Sequence, residues 1–158
     1  LQKVGRHEFS DLEAGEHARL VTATGELEGM AAAISRDLAP LVAEFETAKI
    51  VLSKETAELL ERLLQAIEES ARSALHALVE RDEQAAQAVL AKRGEIAGLT
   101  AEVQQLQAAR LAQDDPDRFT KHRLQIELLD RLRRIYSVSE HMAISVLPRS
   151  LLAGDLYS

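Results

Sequence analysis

Apolar residues step by three or four through the C-terminal part of the chain, at Leu124, Leu128, Leu132 and Ile135, and the same rhythm continues through Ser139, Met142 and Val146. That spacing lays a nearly continuous apolar stripe along one face of a helix. It predicts a long last helix that follows the loop Gln113-Asp-Asp-Pro-Asp117 and runs to about Leu147, where Pro148 closes it. A first helix is predicted from about Glu8 to Leu38, with Leu12, Leu20, Ala23, Leu27, Met30 and Ile34 as its apolar positions. Thr22, Thr24, Gly25 and Gly29 weaken its middle, and the glycines leave room for another helix to approach. Pro40 is expected to end it, because the residue before a proline avoids the helical region. Residues 39–52 then form a connector, with a helical turn around Val42 to Lys49.

Ser53-Lys-Glu-Thr56 has the form of a helix start: a serine cap, then an early glutamate that suits the positive end of the helix dipole. The second helix carries Leu60, Leu64, Ile67, Ala71, Ala74 and Leu78. Glu80-Arg-Asp82 marks a corner, with Asp82 placed to cap the helix that follows. That third helix carries Val89, Ile96, Leu99, Val103, Leu106 and Arg110 at close to heptad spacing. Gly94 and Gly98 lower its local stability and suggest a close crossing. Short loops between long helices favour antiparallel neighbours. The fold class is therefore all-α, an antiparallel bundle of about four long helices in a single domain over 1–158, with 148–158 as a tail.

Composition agrees. The chain is 46% hydrophobic but only 3% aromatic, without tryptophan, so Ala and Leu, both strong helix formers, supply its apolar content. Its 158 residues suit one domain with a real core. The absence of cysteine removes disulfides, thiolate zinc sites and thiolate catalysis. No apolar run approaches the roughly 20 residues that a membrane-spanning helix needs, and no signal-peptide pattern opens the chain. A chain beginning at Leu1 is expected to be a piece of something longer. The net charge of −7 opposes nucleic-acid binding, which draws its affinity from Lys and Arg on phosphates.

The segment Leu129-Asp-Arg-Leu-Arg-Arg-Ile135 resembles the last helix of a PhoU-type domain, in particular the cytosolic PhoU-like domain of bacterial sodium/phosphate cotransporters. Ala71 to Leu90 resembles the helix-corner-helix of such a repeat, with Asp82 as the capping aspartate. Glu26-Leu-Glu-Gly-Met-Ala-Ala-Ala-Ile34 is similar to the third-helix motif of a preceding repeat, and Lys49 to Leu60 to the connector of the transporter-linked form. The resemblance implies one full three-helix repeat over 53–147 behind one preceding helix. It also implies a non-enzymatic regulatory or docking domain of a sodium-dependent phosphate transporter, lying at the cytoplasmic face of the inner membrane. Its partners would be the membrane transporter portion of the same or an associated chain and further copies of itself in a homo-oligomer, with no nucleic acid. The family's acidic metal motif is broken here. Glu28 keeps the glutamate, but Gly29 and Ala32 replace the arginine and aspartate, and Arg133 and Ser137 stand in the second motif where acids would bind metal. Carboxylates must share a helix face to meet one ion, so no cofactor is expected. Arg133-Arg134-Ile135 resembles the transporter-linked branch.

The residues offer only sparse chemistry. Glu13 and His17, four apart, and Glu28 are weak metal candidates, since two ligands alone make a poor site. Adjacent Glu140 and His141 diverge by about 100° on a helix, and His76 and His122 have no evident partner. Lys121, Arg123, Arg131, Arg133 and Arg134 concentrate positive charge on the last helix. Arg131, Arg133 and Arg134 are candidates for contact with an anion or an acidic partner, although internal salt bridging is the favoured role for the group. No catalytic residue is assigned: the chain has neither a glycine-rich phosphate loop nor a His-Glu-x-x-His motif. Two alternatives stand beside the transporter domain. One is a stand-alone PhoU-like phosphate-signalling adaptor that holds a transition metal. The other is a structural bundle or coiled-coil module that assembles through Ile96, Leu99, Val103 and Leu106.

Overall fold

A computed structural model describes residues 2–111 and 118–148, with the side chains of 2–12, 110 and 111 left aside. The described residues form helices and turns, with no strand among them: an all-α bundle. No helix among them is long and apolar enough to cross a membrane. The expected loop at 113–117 and most of the tail at 148–158 lie outside the described residues.

The first helical segment is longer than its sequence suggests. Helix α1 (Gln2–Ala32) passes into a π-helical stretch (Ala33–Leu38) and then into α2 (Ala39–Thr47), so Pro40 ends nothing. A proline inside an α-helix removes one hydrogen bond and drives its ring against the carbonyl four residues back. Here the amide of Ala39 bonds the carbonyl of Ile34, five residues back, and the widened turn leaves Pro40 at the start of α2, where a missing N–H is tolerated. The expected connector over 39–52 shrinks to 48–53. Pro40→Ala is accordingly expected to change stability by less than about 1 kcal/mol, against about 3 kcal/mol for a proline in an unadapted helix. Urea unfolding of the two proteins checks this.

Helix α2 closes on a left-handed Lys49 (φ 50°), with Ile50 N–H bonded to Phe45 O at 3.2 Å and Lys49 N–H to Glu46 O at 3.1 Å. Helix α3 (Lys54–Glu80) opens as expected on Ser53, whose hydroxyl oxygen accepts from Thr56 N–H at 3.3 Å. It ends on a second left-handed residue, Arg81 (φ 58°). A positive charge at either helix end suits the negative end of the dipole, which partly explains why a basic residue stands where glycine is usual. Asp82 then caps α4 (Glu83–Ala91), accepting from Gln84 N–H at 2.8 Å and Ala85 N–H at 3.1 Å. The Ala85 bond is the main cause holding its carboxyl below the usual aspartate range.

The expected third helix is broken in two. Lys92 leaves the α-helical pattern between α4 and α5 (Arg93–Leu111), and its ammonium pins the break by reaching Glu69 at 3.0 Å and Glu95 at 2.9 Å. The expected glycine crossings are absent. Nothing lies within 4 Å of a Cβ built on Gly25, Gly94 or Gly98, and Gly29 meets only Val138 Cγ1, at 4.0 Å.

Helices α3, α4, α5 and α6 (Arg118–Val146) surround the core. Leu63, Val89, Val103, Leu129, Leu132 and Met142 are its bulkiest members that are buried completely. The predicted stripe of α6 faces this core, with Leu124, Leu132, Ile135, Ser139 and Met142 buried and Leu128 and Val146 half-buried. The α1–α2 segment has α6 as its principal neighbour. Gly29 meets Val138, Asp37 pairs with Arg134 and Glu44 with Arg123, so the two segments run past each other in opposite chain directions.

Candidate functional site

The arginines of α6 divide into two groups. Arg123 bridges Glu44 of α2 and, at 2.8 Å, Glu127 of its own helix, while Arg134 meets Asp37 at 3.2 Å. These two hold the first segment to α6, which is the internal salt bridging favoured from sequence. Arg131 and Arg133 make no ion pair among the described residues; Arg133 is exposed and Arg131 half-buried. Lys121 is half-buried near the start of α6.

The metal candidates do not converge with a third ligand. Glu13, His17 and Glu28 all lie exposed on α1. His17 and Glu28 line the same shallow hollow, of roughly 400 Å³, with Leu20, Val21, Thr24 and Gly25, whereas Glu13 is not among its lining residues. Among the described residues no group of three or more His, Asp or Glu could hold a metal ion. His76 has a partner that sequence did not reveal, Asp82 at 3.4 Å. His141 is exposed, while His122 Nδ1 and Gln107 Nε2 are buried without a hydrogen bond.

Glu140 belongs to a structural cluster. It accepts from Arg93 Nε at 2.8 Å, across the α5–α6 contact. One turn earlier the buried Tyr136 hydroxyl donates to Val89 O at 3.0 Å, beside the break at Lys92. Burial, with the nearby Glu140 carboxylate adding to it, pushes the Tyr136 phenol up to about 12. Tyr136→Phe is expected to cost about 1 kcal/mol, the usual worth of one such bond. A raised phenol favours the protonated, folded state, so this contribution is complete below the unfolded value near 10 and fades as pH climbs from there towards 12. Urea midpoints of the two proteins at neutral pH and at rising alkaline pH should therefore converge.

A second pocket, of roughly 340 Å³, opens where α1 passes the α3–α4 corner, lined by Arg19, Thr22, Leu78, Arg81, Ser145 and Val146 with Glu83. Its two arginines are already engaged. Glu16 accepts from Arg19 and, at 2.7 and 2.9 Å, from Arg81.

The least satisfied surface is apolar. Leu20, Val21, Leu27, Ile34 and Val42 are 52, 59, 42, 47 and 45% exposed, all on the first helical segment. The stripe that sequence nominated for assembly, on α5, is used internally instead: Ile96, Leu99 and Val103 are buried and Leu106 half-buried. The exposed face had a signal of its own. Leu20, Leu27 and Ile34 recur at seven, and so do Ala23 and Met30, which together make the alternating three-and-four spacing of a helix–helix seam. Only the second row turns inward, with Met30 buried and Ala23 half-buried. No known family model, curated protein or solved structure matches the chain.

Proposed function

We propose that the chain is a non-enzymatic docking and regulatory domain of a phosphate transporter, of the PhoU-like kind that its sequence resembles, held at the cytoplasmic face of the membrane. The exposed apolar face of the first helical segment carries the docking part of this reading. A run of large apolar side chains left in water on one element marks a surface that another molecule covers. The α6 helix supports the transporter-linked form over a metal-holding adaptor, because Arg133 and Ser137 occupy positions where acids would be needed.

The coding sequence upstream of Leu1 tests the transporter part. Several apolar segments of about twenty residues each, ending shortly before the domain, are the expected result. An upstream region without them, carrying another three-helix repeat, would replace the transporter by a free-standing adaptor.

A further inference from the structure

We infer that the outward side of α1 is a seat for an amphipathic helix with basic flanks, supplied by a partner protein. This rests on the docking reading and names the chemistry of what docks. Among the described residues ten large hydrophobic side chains are exposed, and five of them fall within residues 20–42. The other five are spread over three other parts of the chain: Val51 in the 48–53 connector, Leu64 and Val79 on α3, and Phe119 and Ile126 on α6. Scattered apolar residues are ordinary on a surface; a cluster on one helix is not.

The shape of the face fits a helix. The hollow lined by His17, Leu20, Val21, Thr24, Gly25 and Glu28 consists of two overlapping diamonds, 17-20-21-24 and 21-24-25-28. A spacing of i, i+3, i+4 and i+7 is the pattern in which one helix receives the knob side chains of another. Gly25 keeps the floor open, since nothing lies within 4 Å of where its Cβ would stand.

Charge selects among occupants. Among the described residues, Glu13, Glu26, Glu28 and Glu46 of the stretch 13–47 make no ion pair, and Arg36 is the single Lys or Arg there without one; Glu13 and Glu28 are exposed, and Glu28 lines the hollow itself. A second copy of the chain fits poorly. A two-fold axis at Leu27, midway between Leu20 and Ile34, would bring the exposed Glu28 close to its own image, and each copy carries a net charge of −7. An anionic lipid surface would be repelled by the same carboxylates. A helix with leucine-like knobs and Lys or Arg at their edges satisfies both the hollow and the carboxylates.

The test uses the whole chain and a designed, fluorescently labelled three-heptad peptide, with leucine at the first and fourth heptad positions and lysine at the flanks. Anisotropy titration should show saturable binding that weakens at least roughly tenfold between about 0.05 and 0.5 M salt. Leu20→Asp with Leu27→Asp should abolish it. Both residues are exposed, so circular dichroism and urea unfolding should show the fold retained. Glu28→Lys should weaken the lysine peptide and strengthen a glutamate-flanked one. Four results would overturn the inference: no saturable binding, equal binding of the glutamate peptide, self-association relieved by Leu27→Asp, or capture by phosphatidylserine vesicles in place of peptide. The upstream sequence leaves all of these untouched, so the transporter reading and the partner chemistry fail separately.

Discussion

Replacing Leu132 by alanine is expected to destabilise the fold by about 2–5 kcal/mol, the range for leucine deletions at sites that cannot collapse. Leu132 is 1% exposed at the middle of α6, the helix that touches every other part of the bundle. Alanine is the better helix former, so no local penalty confuses the result. The loss comes from buried surface returned to water and from the cavity left between helices. Against the 5–15 kcal/mol that usually separates folded from unfolded domains, roughly a third of the stability would go. The urea midpoint should fall with its slope unchanged. Leu128, one turn earlier and half-buried, provides the control. Its alanine variant should lose markedly less, and equal losses at the two positions would contradict the packing described above.

Ala86→Leu is expected to cost about 1–3 kcal/mol by the opposite route, overpacking. Helix α4 is short and packs against both α3 and α6. At 0% exposure Ala86 shares its core cluster with Ala74 and Ala77 of α3 and Ala143 of α6, all equally buried. In a core packed this closely, three extra carbons at a fully buried alanine have nowhere to go without moving a neighbour. Ala85, half-buried next door, should accept the same change with a smaller loss. Thermal unfolding of the pair reads the difference. Similar melting temperatures for both variants would mean that α4 is held less tightly than its burial implies.

The helices were legible in the sequence wherever one apolar row met one polar face. The stripe of α6, the Ser53 start and the Asp82 cap are local properties, fixed by spacing or by a side chain bonding a nearby amide. What sequence misplaced depends on geometry across several turns. Pro40 is a reliable stop only while the helix keeps its ordinary pitch, and the five-residue bond at Ala39 removes that condition. The third helix breaks at Lys92 although the propensity of lysine is good; its ammonium meets Glu95 nearby and Glu69 of α3, and that second partner lies 23 residues away in sequence. Gly94 and Gly98, two obvious candidates for a crossing, face open space. The candidate surface was half legible: Leu20, Leu27, Met30 and Ile34 all stand out as apolar positions of the first helix, and only packing reveals that Met30 turns inward, with Ala33, while the other three stay exposed. Arg123 and Arg134 could be suspected of salt bridging, but their partners Glu44 and Asp37 lie 79 and 97 residues away in sequence.

The attachment of the first 46 helical residues to one principal neighbour, α6, has a consequence for how the molecule breathes. Proteins open in cooperative units whose cost follows the contacts each unit must give up. The α1–α2 segment leaves by surrendering Met30, Ala33 and Leu41 with a few ion pairs, while α3 to α6 keep most of the core. Amide protons of 13–47 should therefore exchange with solvent well before those of α3 and α6, through an opening that stops short of global unfolding. A helix that docked on α1 would add contacts to the least expensive unit in the fold. Its arrival would be recorded first as slowed exchange there, with the rest of the bundle almost silent.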